Sequence, residues 1–96
     1  MLSIISIKEF ELRKEYFEII DIRSVEKYNN NHIPNSINIQ FEKLITDPSK
    51  YLDRYKTYCI YCTRGINSLK AAGILSKQGY RVVSLEGGYE AWLLSQ

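Results

Sequence analysis

The sequence predicts an α/β fold built on a mainly parallel sheet. Three observations carry that prediction. FEIIDI (17–22), TYCIY (57–61) and RVVSL (81–85) are short apolar runs rich in β-branched or aromatic residues, the pattern of strands buried on both faces. Segments with apolar residues at helical spacing lie between them, so strand and helix alternate along the chain. Polar or glycine-bearing residues follow each run and turn the chain.

Taken in order, LSII (2–5) is a short strand candidate. Ser6 stands three residues before Glu9, a capping box that opens a short helix to about Arg13. FEIIDI ends in Asp21 and Arg23, as a buried parallel strand does. Ser24 caps a helical turn over VEKY. The polar stretch NNNHIPNS turns the chain, Pro34 keeps Ile33 extended, and a short strand follows near Ile37–Ile39. Asp47 and Pro48 read as an N-cap with proline in the first helical position, opening a helix that carries Tyr51 and Leu52. After TYCIY, the residues Leu69, Ala72, Ile74 and Leu75 recur at helical spacing until Gly79 stops the helix. RVVSL and Glu86-Gly87-Gly88 lead into a last helix, YEAWLLS.

Ninety-six residues, 45% hydrophobic and 25% charged, suit one compact globular domain over 1–96. Such a chain buries roughly 60–70% of its unfolded surface, enough for a core without disulfides or metal. Thirteen basic against eleven acidic residues leave a net charge of +2, too mild and too evenly spread to point to a nucleic-acid or membrane partner. No apolar run approaches the ~20 residues that cross a bilayer. MLSIISIKEFELRKE has no basic leader and its apolar run stops at Lys8, so no signal peptide is expected. Cys59 and Cys62 are too few for a disulfide framework, and with the single histidine, His32, they cannot complete four zinc ligands. A reducing, cytoplasmic setting follows, with no metal or other cofactor and nothing that demands more than a monomer.

Ligands of open parallel sheets sit at the carboxyl ends of strands. Cys62 leaves that end of TYCIY and enters a loop running into a helix start. The N–H groups of Thr63 to Ser68 can curl around its sulfur, and the helix dipole adds about half a positive charge. Both favour the thiolate, which is the nucleophilic form. The competing reading is a buried core cysteine, against which the polarity of the loop argues. Gly65 permits the tight curve, while Thr63, Ile66 and Asn67 contribute mainly backbone N–H groups. Ser68 is most simply an N-cap, with a hydroxyl bond to the sulfur secondary.

Arg64 is either a solvated charge or the binder of an anion. Asp21 and Arg23 at the neighbouring strand end form a supporting ion pair or loop brace, or touch the substrate; Glu26 is an alternative partner for Arg23. His32, alone in a turn, is structural rather than a base, and Trp92 and the eight tyrosines are packing residues. Cys59 completes a C-x-x-C with Cys62, but it lies inside the strand, where side chains three apart point to opposite faces; it is read as core rather than as a redox partner.

Three blocks now align with a known pattern: IIDIRSVEKYNNNHIPNSINI, YCTRGINS and LEGGYEAW. Together they resemble the rhodanese-like sulfurtransferase domain, in order and spacing, over nearly the whole chain. The resemblance implies a twisted, three-layer sheet of about five mostly parallel strands flanked by helices. It also implies that Cys62 takes the outer sulfur of a sulfane donor such as thiosulfate as a persulfide and passes it to cyanide or to a protein or small-molecule thiol. Two departures stand out. Asn31 and Asn35 occupy positions that are glycine in many relatives, and asparagine is the next best residue at positive φ. Asn67 replaces a common loop arginine, and Arg64 supplies a charge elsewhere in the loop.

Two other classes compete. A phosphatase or arsenate reductase of the related fold needs arginine six residues after the cysteine, where this chain has Ser68. A sulfur-carrier or interaction module without free turnover would use the same fold.

Overall fold

The computed structural model describes residues 4–96. Five strands, Ile4–Ile5 (β1), Glu18–Asp21 (β2), Ile37–Asn38 (β3), Thr57–Tyr61 (β4) and Arg81–Leu85 (β5), form one sheet in the order β1-β5-β4-β2-β3. Every pairing is parallel. Leu2 and Ser3 of the expected first strand lie outside the described residues.

Parallel neighbours need crossovers, and helices supply them: Ile7–Arg13 (α1), Val25–Asn30 (α2), Phe41–Thr46 (α3), Ile66–Lys77 (α4) and Gly88–Leu94 (α5). Alternation along β2, β4 and β5 sends side chains to two cores. Ile20, Ile60 and Val82 pack with Leu44, Ala71, Ala72 and Leu75 beneath α3 and α4. Ile19, Cys59 and Leu85 pack with Phe10 and Trp92 beneath α1 and α5. The result is the three-layer architecture in which strand ends collect on one edge.

The caps at Ser6 and Ser24 form as the sequence predicts: Ser6 Oγ accepts from Glu9 N–H at 3.1 Å and Ser24 Oγ from Lys27 N–H at 3.3 Å. The helix expected from Asp47 does not. Pro48–Lys50 is a single 3₁₀ turn, and the helix stands before it, at Phe41–Thr46. Gln40 makes no side-chain capping bond there, so α3 is held by burying Leu44 rather than by a local start signal. Asn35 adopts φ 70°, using asparagine's tolerance of the left-handed region. Asn31 does not: its φ of −170° is extended backbone that any residue adopts. No helix among the described residues is long and apolar enough to cross a membrane.

Candidate active site

Cys62 follows β4 directly, and its side chain turns to the α3/α4 face, opposite to that of Cys59. Both thiols are free. Burial pushes Cys59 up to about 12, which makes it an inert core thiol at neutral pH. Cys62 is also buried, 7% exposed at the margin of the α3/α4 core, but it lines an open cleft of about 570 Å³ together with Arg23, Lys27, Thr63, Arg64, Asn67 and others.

The loop wraps the sulfur. Gly65 takes φ 91°, which only glycine adopts without strain, and reverses the chain so that its own N–H donates to Cys62 Sγ at 3.1 Å. Ser68 N–H donates to the same atom at 3.3 Å, and Ser68 Oγ lies 3.4 Å away. The amides that face the sulfur are those of the α4 N-cap, Gly65, and of Ser68 in its first turn, where N–H groups lack intrahelical partners. The loop carbonyls are engaged on the other side: Cys62 C=O accepts from Tyr89 N–H at 2.8 Å and Thr63 C=O from Glu90 N–H at 3.0 Å. The start of α5 thus clamps the back of the loop while its front donors converge on Sγ.

That clamp requires Gly88. A Cβ there would lie 2.5 Å from Cys62 O and 2.8 Å from both Gly65 N and Thr63 O, closer than any side chain tolerates. Gly88 is therefore part of what holds the loop around Cys62.

Besides Arg23, two cations line the cleft. Arg64 is exposed at its rim, and Lys27, from α2, donates through Nζ to Thr63 Oγ1 at 3.2 Å. Neither forms an ion pair among the described residues. The Glu90 carboxylate is the opposing charge on the lining.

Arg23 is committed elsewhere. Its guanidinium grips Asp21 at 2.7–3.1 Å, donates to Asn31 C=O at 2.6 Å, and lies 4.2 Å over the Tyr89 ring. Burial opposes its charge, and the hydrogen-bonded Asp21 carboxylate outweighs that, raising the guanidinium above its ordinary value. Asp21 is fully buried, and Asn38 Nδ2 donates to the carbonyls of Asp21 and Arg23. The pair braces the two strand ends beside the loop. Glu26 plays no part in it. His32 stacks on Tyr28 at 3.8 Å, with its Nδ1 2.8 Å from Tyr28 C=O, and does not line the cleft.

The rhodanese-like domain profile matches residues 6–95 of this chain. The chain belongs to the rhodanese-like domain family. It is 35% identical over 82 residues to the thiosulfate sulfurtransferase GlpE of Coxiella burnetii, covering 84% of this chain and 76% of that protein. The putative sulfurtransferase YtwF of Bacillus subtilis is 31% identical over 91 residues, covering 95% and 87%. Among solved structures, the rhodanese-related protein from Thermoplasma volcanium superposes with a TM-score of 0.89 at 29% identity, over 96% of this chain and 91% of that one.

Against this rhodanese-like frame, the structure brings Cys62, Thr63, Arg64, Gly65, Ile66, Asn67 and Ser68 together and sets the Asp21–Arg23 brace beside them. Ser68 is not the N-cap. Gly65 holds that position, and Ser68 sits in the first helical turn, fully buried, against the sulfur. The sequence marks Gly88 only as one of the glycine pair in LEGGYEAW, and it does not mark Lys27 or Ser84 as site residues. Those two come near the loop solely through tertiary packing.

Proposed function

We propose that this chain is a thiosulfate-type sulfurtransferase that carries sulfane sulfur as a persulfide on Cys62. The observation that supports this most is the convergence of the Gly65 and Ser68 amides on Sγ in a cleft rimmed by Lys27 and Arg64. Preorganised donors of this kind are each worth about 3 kcal/mol where negative charge develops.

The thiolate attacks the outer sulfur of thiosulfate. The donor's S–S bond breaks, its electron pair leaves with sulfite, and a Cys62–S–S⁻ persulfide remains. A thiol, on a protein or a small molecule, or cyanide then attacks the terminal sulfur, and the electron pair of the breaking bond returns to Cys62. This is two-step covalent catalysis. Lys27 and Arg64 attract the dianionic donor, and the same amides bear the charge of each anionic sulfur species. We place this chemistry in a reducing compartment and in a single chain.

Thiocyanate formation from thiosulfate and cyanide tests the reading. Wild type is expected to turn over and Cys62→Ser to be inactive. Absence of thiocyanate with folded wild type, or turnover retained by Cys62→Ser, would overturn it.

A further inference from the structure

Behind Cys62 the fold buries two hydroxyl groups. Ser68 in α4 and Ser84 in β5 are both 0% exposed, and their Oγ atoms are 2.7 Å apart. Ser84 stands in the middle of the sheet, in register with Ile60 of β4 and Ile4 of β1. A hydroxyl among such neighbours carries a desolvation cost that alanine would not. Among the described residues, Ser84 Oγ has one hydrogen-bond partner, Ser68 Oγ.

The protons can be followed from that fact. Each hydroxyl has a single hydrogen. The 2.7 Å contact fits either direction, but with Ser68 as its one partner Ser84 can place its own hydrogen only by donating to Ser68 Oγ. At 3.4 Å a protonated Cys62 Sγ donates to Ser68 Oγ; where the sulfur is anionic, the Ser68 hydrogen turns onto it instead. A protonated thiol that donates to Ser68 leaves one of the two serine hydrogens without an acceptor, whichever way the Ser68–Ser84 contact runs. An anionic sulfur gives every hydrogen in the chain one acceptor, and a hydrogen bond to an ion is the stronger kind.

We propose that Ser84 is a positioning residue for the nucleophile: acting through Ser68, it turns a hydroxyl hydrogen onto Cys62 Sγ and favours the anionic sulfur. No proton is transferred; the chain Ser84→Ser68→Sγ only orients donors. The inference rests on the reading of Cys62 as the sulfur nucleophile, and it predicts that a residue outside the loop sets part of the thiolate's stability.

The test is the rate of iodoacetamide alkylation at Cys62, followed by peptide mass across pH in the full chain. Without Ser84 the Ser68 oxygen is free to accept from the thiol and its own hydrogen is a weaker donor to the anion, so the profile shifts to higher pH and on its acidic limb Ser84→Ala should react about threefold more slowly than wild type. On a Ser68→Ala background the same change should have no effect, because the link is already cut. A Ser84→Ala profile superimposed on wild type, or a slowing that persists undiminished in the Ser68→Ala chain, would overturn the proposal. Alkylation does not depend on turnover. A shift in a chain that transfers no sulfur would retain Ser84 and remove the proposed function; transfer with an unshifted profile would do the reverse.

Discussion

Gly88 and Cys62 meet backbone to backbone: a methyl group on Gly88 would lie 2.5 Å from the Cys62 carbonyl oxygen. The contact places the start of α5 against the Cys62 loop, so that the Tyr89 and Glu90 amides take up the Cys62 and Thr63 carbonyls. Gly88→Ala should therefore damage the loop as well as the fold. Overpacking combined with φ +62° is expected to cost about 2–4 kcal/mol. Turnover should fall at least tenfold, by loss of the sulfur's donors. Gly73→Ala is the counterpart. Nothing lies within 4 Å of a Cβ there, and the site is interior to α4, so a gain of about 0.5–1 kcal/mol is expected with unchanged turnover. Chemical unfolding and steady-state rates on both variants check the pair.

Lys27 and Arg64 occupy the cleft without carboxylate partners, whereas Arg23 is bound to Asp21. Lys27→Ala and Arg64→Ala should each raise the KM for thiosulfate several-fold and leave kcat within about twofold, since attraction of the donor precedes the sulfur step. Added salt should weaken the wild type more than either variant. Unchanged KM in both would mean these cations are surface charges only.

Alkaline stability follows from two buried groups. Burial pushes the Cys59 thiol up to about 12 and also raises the Tyr61 hydroxyl. Both folded values lie above the unfolded ones, so their contribution is complete below the unfolded range, near pH 8.5 for cysteine and 10 for tyrosine. It is lost as pH rises toward the folded values, because the unfolded chain releases those protons first. Unfolding free energy should fall above about pH 9 by up to about 1.4 kcal/mol per pH unit per group. Denaturant midpoints at pH 7, 9 and 10.5 measure this, and Cys59→Ala should flatten the first part of the decline.

The strands and the position of Cys62 at a strand end were legible because their signals are local. TYCIY is a strand by composition, and a cysteine followed by a glycine-bearing polar loop at its end marks a ligand position by topology alone. Helix α3 was not legible: FEKLIT has no capping residue, and it is helical because Leu44 finds a buried place. Asp47-Pro48 carried the right residues for a helix start, yet the chain leaves after one 3₁₀ turn. Ser68 misled for a related reason. Serine is a good N-cap in general, but the left-handed turn at Gly65 begins the helix three residues earlier and carries Ser68 inward to the sulfur. The contributions of Lys27 and Ser84 depend on which helix and strand flank the loop, and no spacing in the chain encodes that.

The central claim is that Cys62 Sγ, held by main-chain amides, accepts and keeps a sulfur atom. Intact-mass analysis after incubation with thiosulfate tests it most directly. A gain of one sulfur atom on wild type is expected, retained in Cys59→Ser, absent in Cys62→Ser, and discharged by a thiol. No gain on folded wild type, or a gain that survives in Cys62→Ser, would contradict the account.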